Sequence, residues 1–191
     1  DITANTAKTG VTAGLARFPT NTISGYPDGD GFRRADATTA NYGNLGAYAI
    51  DLSISDSATD SHGASGFAAM ATGYNSLAAG AMATAMGKST TASGDGATAM
   101  GSSTKATAKN AIAMGETTEA TAQNATAMGN STKAIATGAT AMGNTNLASG
   151  SNSTARGYET QATGEHATEM GYDTKETCNS AQSRGMCIIQ I

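Results

Sequence analysis

The side chains that could do chemistry are few and scattered. His62 stands near Asp56 and Asp60, a grouping with the donor types of a divalent metal site. Isolated polar clusters in loops are more often simply solvated, so no metal is expected there. The D-G-D-G run at 28–31 offers carboxylate oxygens and glycines. It lacks the later Glu that completes a calcium loop, and it reads as a turn. The second histidine, His166, has no Ser–His–Asp or Cys–His framework around it. No catalytic residue and no cofactor is therefore assigned. Cys178 and Cys187 are the only cysteines, too few for a zinc site. A disulfide closing the C-terminal end is favoured over a free pair, with an interchain bond as the alternative.

Almost everything else follows a period, and the elements that hold these side chains must be built from it. Gly73, Gly87, Gly101, Gly115, Gly129, Gly143, Gly157, Gly171 and Gly185 are spaced 14 apart. Before each sits a block whose best copies read A-T-A-M-G, at 83–87, 97–101, 125–129 and 139–143. Thr follows three residues after the glycine at 90, 104, 118, 132, 160 and 174, and Ala two residues later. Fourteen residues cannot hold two helices and a turn, but they fit one coil of a β-solenoid with two short strands and two turns. The glycine after Met is the expected first corner, because Gly takes positive φ freely. Asn or Gly at 96, 110, 124, 138 and 152 marks the other.

Composition is consistent with such a fold. Leu, Ile, Val and Phe together number only 18 of 191 residues, a figure usually seen in disordered chains. The net charge of −4 is too small to hold a chain open, and disorder requires no period. Small residues in strict repetition can instead pack backbones closely. Eleven basic residues against fifteen acidic ones, and no Trp, argue against nucleic acid as a partner. No apolar run is long enough to insert into a membrane.

Stacked coils place equivalent residues in ladders about 4.8 Å apart. Ala and Gly ladders must face inward. Counted from the glycine, the −1 ladder is Met86, Met100, Met114, Met128, Met142 and Met170. The −3 ladder is Thr84, Thr98, Ile112, Thr126, Thr140, Thr154 and Thr168. Both are expected to point out on one side, where a row of Met forms an apolar patch suited to a partner. One reading makes this a homotrimer interface with the Met ladders meeting at an axis; the alternative lets Met fill the coil's own core. Arg156 interrupts the ladder, and an unpaired guanidinium at such an axis would be costly. It is expected to pair with Glu169, of its own or a neighbouring chain, or with an anion. Threonine rows also raise ice binding, but the +4 row of Thr91, Lys105, Glu119, Lys133, Leu147, Gln161 and Lys175 breaks any flat lattice face.

The blocks at 83–90, 97–104 and 125–132 (the last reads A-T-A-M-G-N-S-T) resemble the head repeats of trimeric autotransporter adhesins, the YadA-type head. The resemblance covers roughly residues 64–185. It implies a left-handed parallel β-roll of 14-residue coils, trimerised side by side, and related heads occur in phage and viral fibres. The segment I-T-A-N-T-A-K-T-G-V-T at 2–12 resembles trimeric stalks of fibrous proteins. Four regions follow: a stalk-like segment over 1–20, an irregular cap or neck over 21–63, the β-roll over 64–185 and a C-terminal end over 186–191. Within the neck, Ile50, Leu52 and Ile54 lie on one face of a strand that is expected to cover the open end of the roll.

The order departs from the adhesin pattern. The stalk-like piece precedes the head and no membrane barrel follows, which fits a fibre with its tip at the C-terminus equally well. The start at Asp1, without Met or signal peptide, reads as processing or as a piece of something longer. The expected function is a structural and adhesive module of an extracellular fibre, on a cell or virion surface. Its partners are copies of itself and a host-surface or matrix ligand. A phage or viral receptor-binding fibre and a passive filament subunit are the alternatives, and enzymatic activity is not expected.

Overall fold

The computed structural model describes residues 15–18, 31–34, 44–56 and 62–176. Every regular element among them is a β-strand. Each 14-residue coil gives one strand of five residues and one of two. The first such coil supplies Met70–Tyr74 and Leu77–Ala78, and the last Thr168–Tyr172 and Lys175–Glu176. Long strands pair with long and short with short, in parallel and without slippage. Thr84, Ala85, Met86 and Gly87 stand opposite Thr98, Ala99, Met100 and Gly101, and the same register repeats upward. The result is a parallel β-solenoid with two sheets, one of each strand type.

Strand alternation sends every second side chain inward. At −2, Ala71, Ala85, Ala99, Ala113, Ala127, Ala141 and Ala155 are fully buried, as are Ala64, Ala78, Ala92, Ala106, Ala120, Ala134, Ala148 and Ala162 at +5. A methyl contributes only about 0.8 kcal/mol on burial, so no single residue holds this core. Repetition of the ladder does. The threonines at +3 (Thr90, Thr104, Thr118, Thr132 and Thr160) are also fully buried. Nothing in their polarity announces that position; only their shared parity with the inward alanine at +5 does.

The corners depart from expectation in one respect. Left-handed backbone appears at Asn110, Asn124 and Asn152, and at Gly96 and Gly138, with φ of 55–66°. The opposite turn carries it at Ser89, Ser103, Thr117, Ser131 and Thr145, two residues after the glycine. Gly73, Gly87, Gly101, Gly115, Gly129, Gly143, Gly157 and Gly171 lie inside the five-residue strand instead, with φ of 103–141°. A Cβ added at Gly115 would collide with the carbonyl oxygen of Gly129. The glycine period therefore reflects close approach between coils as well as backbone conformation, and the tight turn follows it. Gly185 lies outside the described residues.

The N-terminal coils are longer in sequence. The strands are β1 (Leu15–Phe18), β2 (Gly31–Arg34), β3 (Ile50–Ile54) and β4 (Gly63–Ala64). Phe32 pairs with Ile50 and Ile50 with Met70, offsets of 18 and 20 residues. Strand β1 runs antiparallel to β2 and closes that end of the long sheet.

Candidate interaction face

The face worth building is the outer side of the long sheet. Residues at −3 and −1 share one side of the strand, and parallel register keeps them on one side through every coil. Met86, Met100, Met114, Met128 and Met142 are half-buried there, beside Thr84, Thr98, Thr126 and Thr140. The methionines do not fill the coil's own interior, which alanine and threonine already occupy. Met170, at the C-terminal end, is 62 % exposed.

Strand β3 extends this face with larger side chains. Ile50 stands in register with Met70 and Leu52 with Thr72, so both join the −3 and −1 ladders. Ile50, Leu52 and Ile54 are 41 %, 42 % and 51 % exposed, and Phe32 of β2 is 46 % exposed. The intervening Asp51 and Ser53 are 0 % and 1 % exposed. The aliphatic row thus lies on the outer side of its coil. The strand does stack on Met70–Tyr74 at the N-terminal end of the 14-residue coils, as the sequence suggested, but its aliphatic side chains point away from the coil.

The inward side of the N-terminal coils is polar and paired. Arg33 Nε donates to Asp51 Oδ2 at 2.8 Å, and the Ser53 hydroxyl donates to Asp51 Oδ1 at 2.6 Å. The Ser53 amide donates to the same oxygen at 3.1 Å. A buried carboxylate with a cation and two further donors is a satisfied structural group. The cluster is enclosed, which does not suit a catalytic role.

Other sequence candidates are placed as follows. Arg156 is exposed, in register between Met142 and Met170. It forms no ion pair with Glu169 within the chain, among the described residues. The reason is parity: Glu169 stands opposite Ala155 at −2 and is buried, whereas Arg156 at −1 emerges on the other side. His62 Nδ1 lies 3.2 Å from the Ser55 hydroxyl. Asp56 accepts from the Tyr74 hydroxyl and, at 3.4 Å, from Asn75 Nδ2. The Tyr74 hydrogen bond holds the Asp56 carboxyl below its ordinary value, and the same bond raises Tyr74. No group of three metal-ligating side chains gathers among the described residues. Asp28, Asp30, Asp60, Cys178 and Cys187 lie outside them.

A small groove of about 250 Å³ runs between His62, Asn75, Leu77, Ser89 and Thr91. The remaining surface is repetitive and mostly polar, with Tyr48, Phe67, Met82 and Ile135 exposed on it. Glu119 bridges Lys105 at 3.9 Å and Lys133 at 3.3 Å along the +4 ladder. Tyr158 and Tyr172 stack at 5.0 Å with ring planes 6° apart, and a hydrogen bond with Glu159 raises the Tyr158 hydroxyl. Of the site residues, the Met and Thr ladders are legible from periodicity. The contribution of β3 and Phe32 is not, because hydropathy alone sends isoleucine inward.

No match was found among curated proteins. The family described as YadA head domain repeat (2 copies) matches residues 64–90, 78–104, 92–118, 120–146 and 148–172. These segments span most of the parallel coils and more than half of the chain. With its 14-residue parallel coils and its repeated A-x-A-M-G strands, the chain belongs to the YadA head domain repeat family.

Proposed function

We propose that this chain is the head-forming part of a trimeric extracellular fibre of the adhesin type, an assembly and binding module without catalytic activity. The reading is carried by the inverted polarity of β3: aliphatic side chains outside, a paired carboxylate inside. An aliphatic row left in water along a whole side is unfavourable, by about 25 cal/mol for each Å² that a partner would cover. Because the row continues into the Met ladder, one flat strip serves the full length of the roll. Three copies meeting strip to strip bury it. The outward-facing turns and the +4 ladder then remain free for a host-surface or matrix ligand. In that arrangement Arg156 faces the neighbouring chain, where a carboxylate from outside its own chain or a bound anion accompanies it.

The test is sedimentation equilibrium of the chain and of a variant with Ile50→Asp, Leu52→Asp and Ile54→Asp. A trimer that dissociates to folded monomers in the variant supports the reading. A wild-type chain that is already monomeric with native β signal overturns it.

A further inference from the structure

Strict repetition leaves the outer strip without a natural alignment. From Met86 to Met142 the −1 column holds methionine alone, and the −3 column beside it holds threonine except at Ile112. Successive coils stand about 4.8 Å apart. A parallel copy displaced by one coil along the roll would meet almost the same side chains. Ile112 does little to prevent this, because an aliphatic group packs against threonine or methionine alike. Uniform apolar seams in coiled coils carry the same ambiguity, and a single polar residue in the seam resolves it. The strip has one cation in its −1 column. Arg156 stands in register between Met142 and Met170, is exposed, and forms no ion pair among the described residues.

We propose that Arg156 is the register key of the strip, fixing the axial alignment of copies packed side by side. The inference rests on the reading of the strip as a face between copies of this chain. When the copies are aligned, their guanidinium groups lie at one level, and a shared anion or carboxylate offsets their mutual repulsion. When one copy is displaced by a coil, its guanidinium is pressed against a methionine of the neighbouring copy. The charge is then covered without a partner, which is strongly unfavourable. The methionines lose nothing by the same displacement. Arg156 therefore acts against misaligned packings and leaves the aligned one. Its role is selection and not strength. With Met at this position the seam becomes wholly apolar, and copies should adhere at least as well, in more than one alignment.

The test uses the full chain with Cys178→Ser and Cys187→Ser, so that introduced cysteines are the only thiols. Chains carrying Met100→Cys are co-expressed with differently tagged chains carrying Met128→Cys. In aligned copies these positions lie two coils apart, about 9.6 Å, beyond the reach of a disulfide. Displacement by one coil halves that separation. After mild oxidation, the ratio of mixed to like-position cross-links reports alignment, and sedimentation equilibrium reports the number of chains. With Arg156 in place, like-position cross-links should dominate. Arg156→Met should raise the mixed fraction roughly tenfold in an oligomer of unchanged size. Arg156→Lys keeps the charge and should stay near wild type. An unchanged ratio in intact Arg156→Met oligomers overturns the register key and leaves the strip's assignment standing. Dissociation of that variant also overturns it, because Arg156 would then supply strength. A chain that is monomeric with Arg156 present overturns the reading of the strip, and the proposal with it. An oligomer in which no cross-link forms places the −1 ladder away from the seam, with the same consequence.

Discussion

Strand β3 and the central long strands belong to one sheet and one ladder, yet they solve opposite packing problems. In the strand Ile112–Glu116, the inward residue is Ala113 and the outward ones are Ile112 and Met114. In β3, the inward residues are Asp51 and Ser53 and the outward ones Ile50, Leu52 and Ile54. The outer face is apolar in both. The two interiors belong to coils of different sequence length: offsets of 18 and 20 residues in the N-terminal coils, 14 in the centre. In the N-terminal coils a guanidinium, a carboxylate and a hydroxyl satisfy one another inside. A 14-residue coil fills the same column with methyl groups. The lesson is that the interior takes either methyl groups or a polar set paired within itself, while the outer face stays apolar in both.

Exchanging the two interiors should produce the largest effect. Asp51→Ala leaves Arg33 buried without its carboxylate, and breaking such a pair costs about 3–5 kcal/mol. Ala113→Asp places the same carboxylate in the same column, between Ala99 and Ala127, where no cation stands among the described residues. It should cost at least as much, and failure to fold is an accepted result. Chemical denaturation of each variant measures both. If Ala113→Asp is tolerated at under about 1 kcal/mol, the 14-residue coils are not dry inside and the contrast fails.

The period, the strand positions, the inward alanines and the outward Met and Thr ladders could all be read from the sequence. Each depends only on a spacing of 14 and on strand parity. Three things could not. The direction of Ile50, Leu52 and Ile54 was hidden because hydropathy says inside, whereas the polar set at Arg33, Asp51 and Ser53 had already taken that space. The turn at Ser89 or Thr117 was hidden because serine and threonine give no signal for left-handed backbone, and the adjacent glycine gives a strong one. Pairing of Arg156 with Glu169 looked plausible in sequence, but adjacent strand positions send the two side chains to opposite sides.

A middle-sized effect is expected at the glycine column, which sharpens the same comparison. In β3 its register position is filled by Ser53, and the first glycine is Gly73. In the 14-residue coils a Cβ would strike the next coil's carbonyl oxygen. Gly115→Val should therefore lose about 1–3 kcal/mol per chain from backbone strain, with the steric collision adding to it. Thermal melting followed by circular dichroism is sufficient to see it. Unchanged melting would mean that neighbouring coils can move apart, and that close approach does not explain the glycine period.

The smallest effect concerns the +3 column, where one coil differs from the rest. Asn146 takes the place that threonine, or Ser76 in the first coil, holds elsewhere. Its Nδ2 donates to the Met142 carbonyl at 2.6 Å and to the Gly157 carbonyl at 2.8 Å, and its Oδ1 accepts from the Thr160 amide at 2.8 Å. Asn146 therefore ties its coil to the next through the interior. The hydroxyls of Thr90, Thr104, Thr118, Thr132 and Thr160 are buried without a partner. Threonine is too short to span the distance between coils, whereas asparagine, of similar volume, spans it. Thr118→Asn should consequently gain about 1 kcal/mol by making the same three bonds, and Asn146→Thr should lose a similar amount. Thr118→Val, which removes an unsatisfied hydroxyl without changing shape, should be neutral or slightly stabilising. Denaturation midpoints of the three variants give the comparison directly. If Thr118→Val instead costs more than Asn146→Thr, the threonine hydroxyls have partners inside the roll, and the 14-residue coils share more of the polar interior of β3 than their alanines suggest.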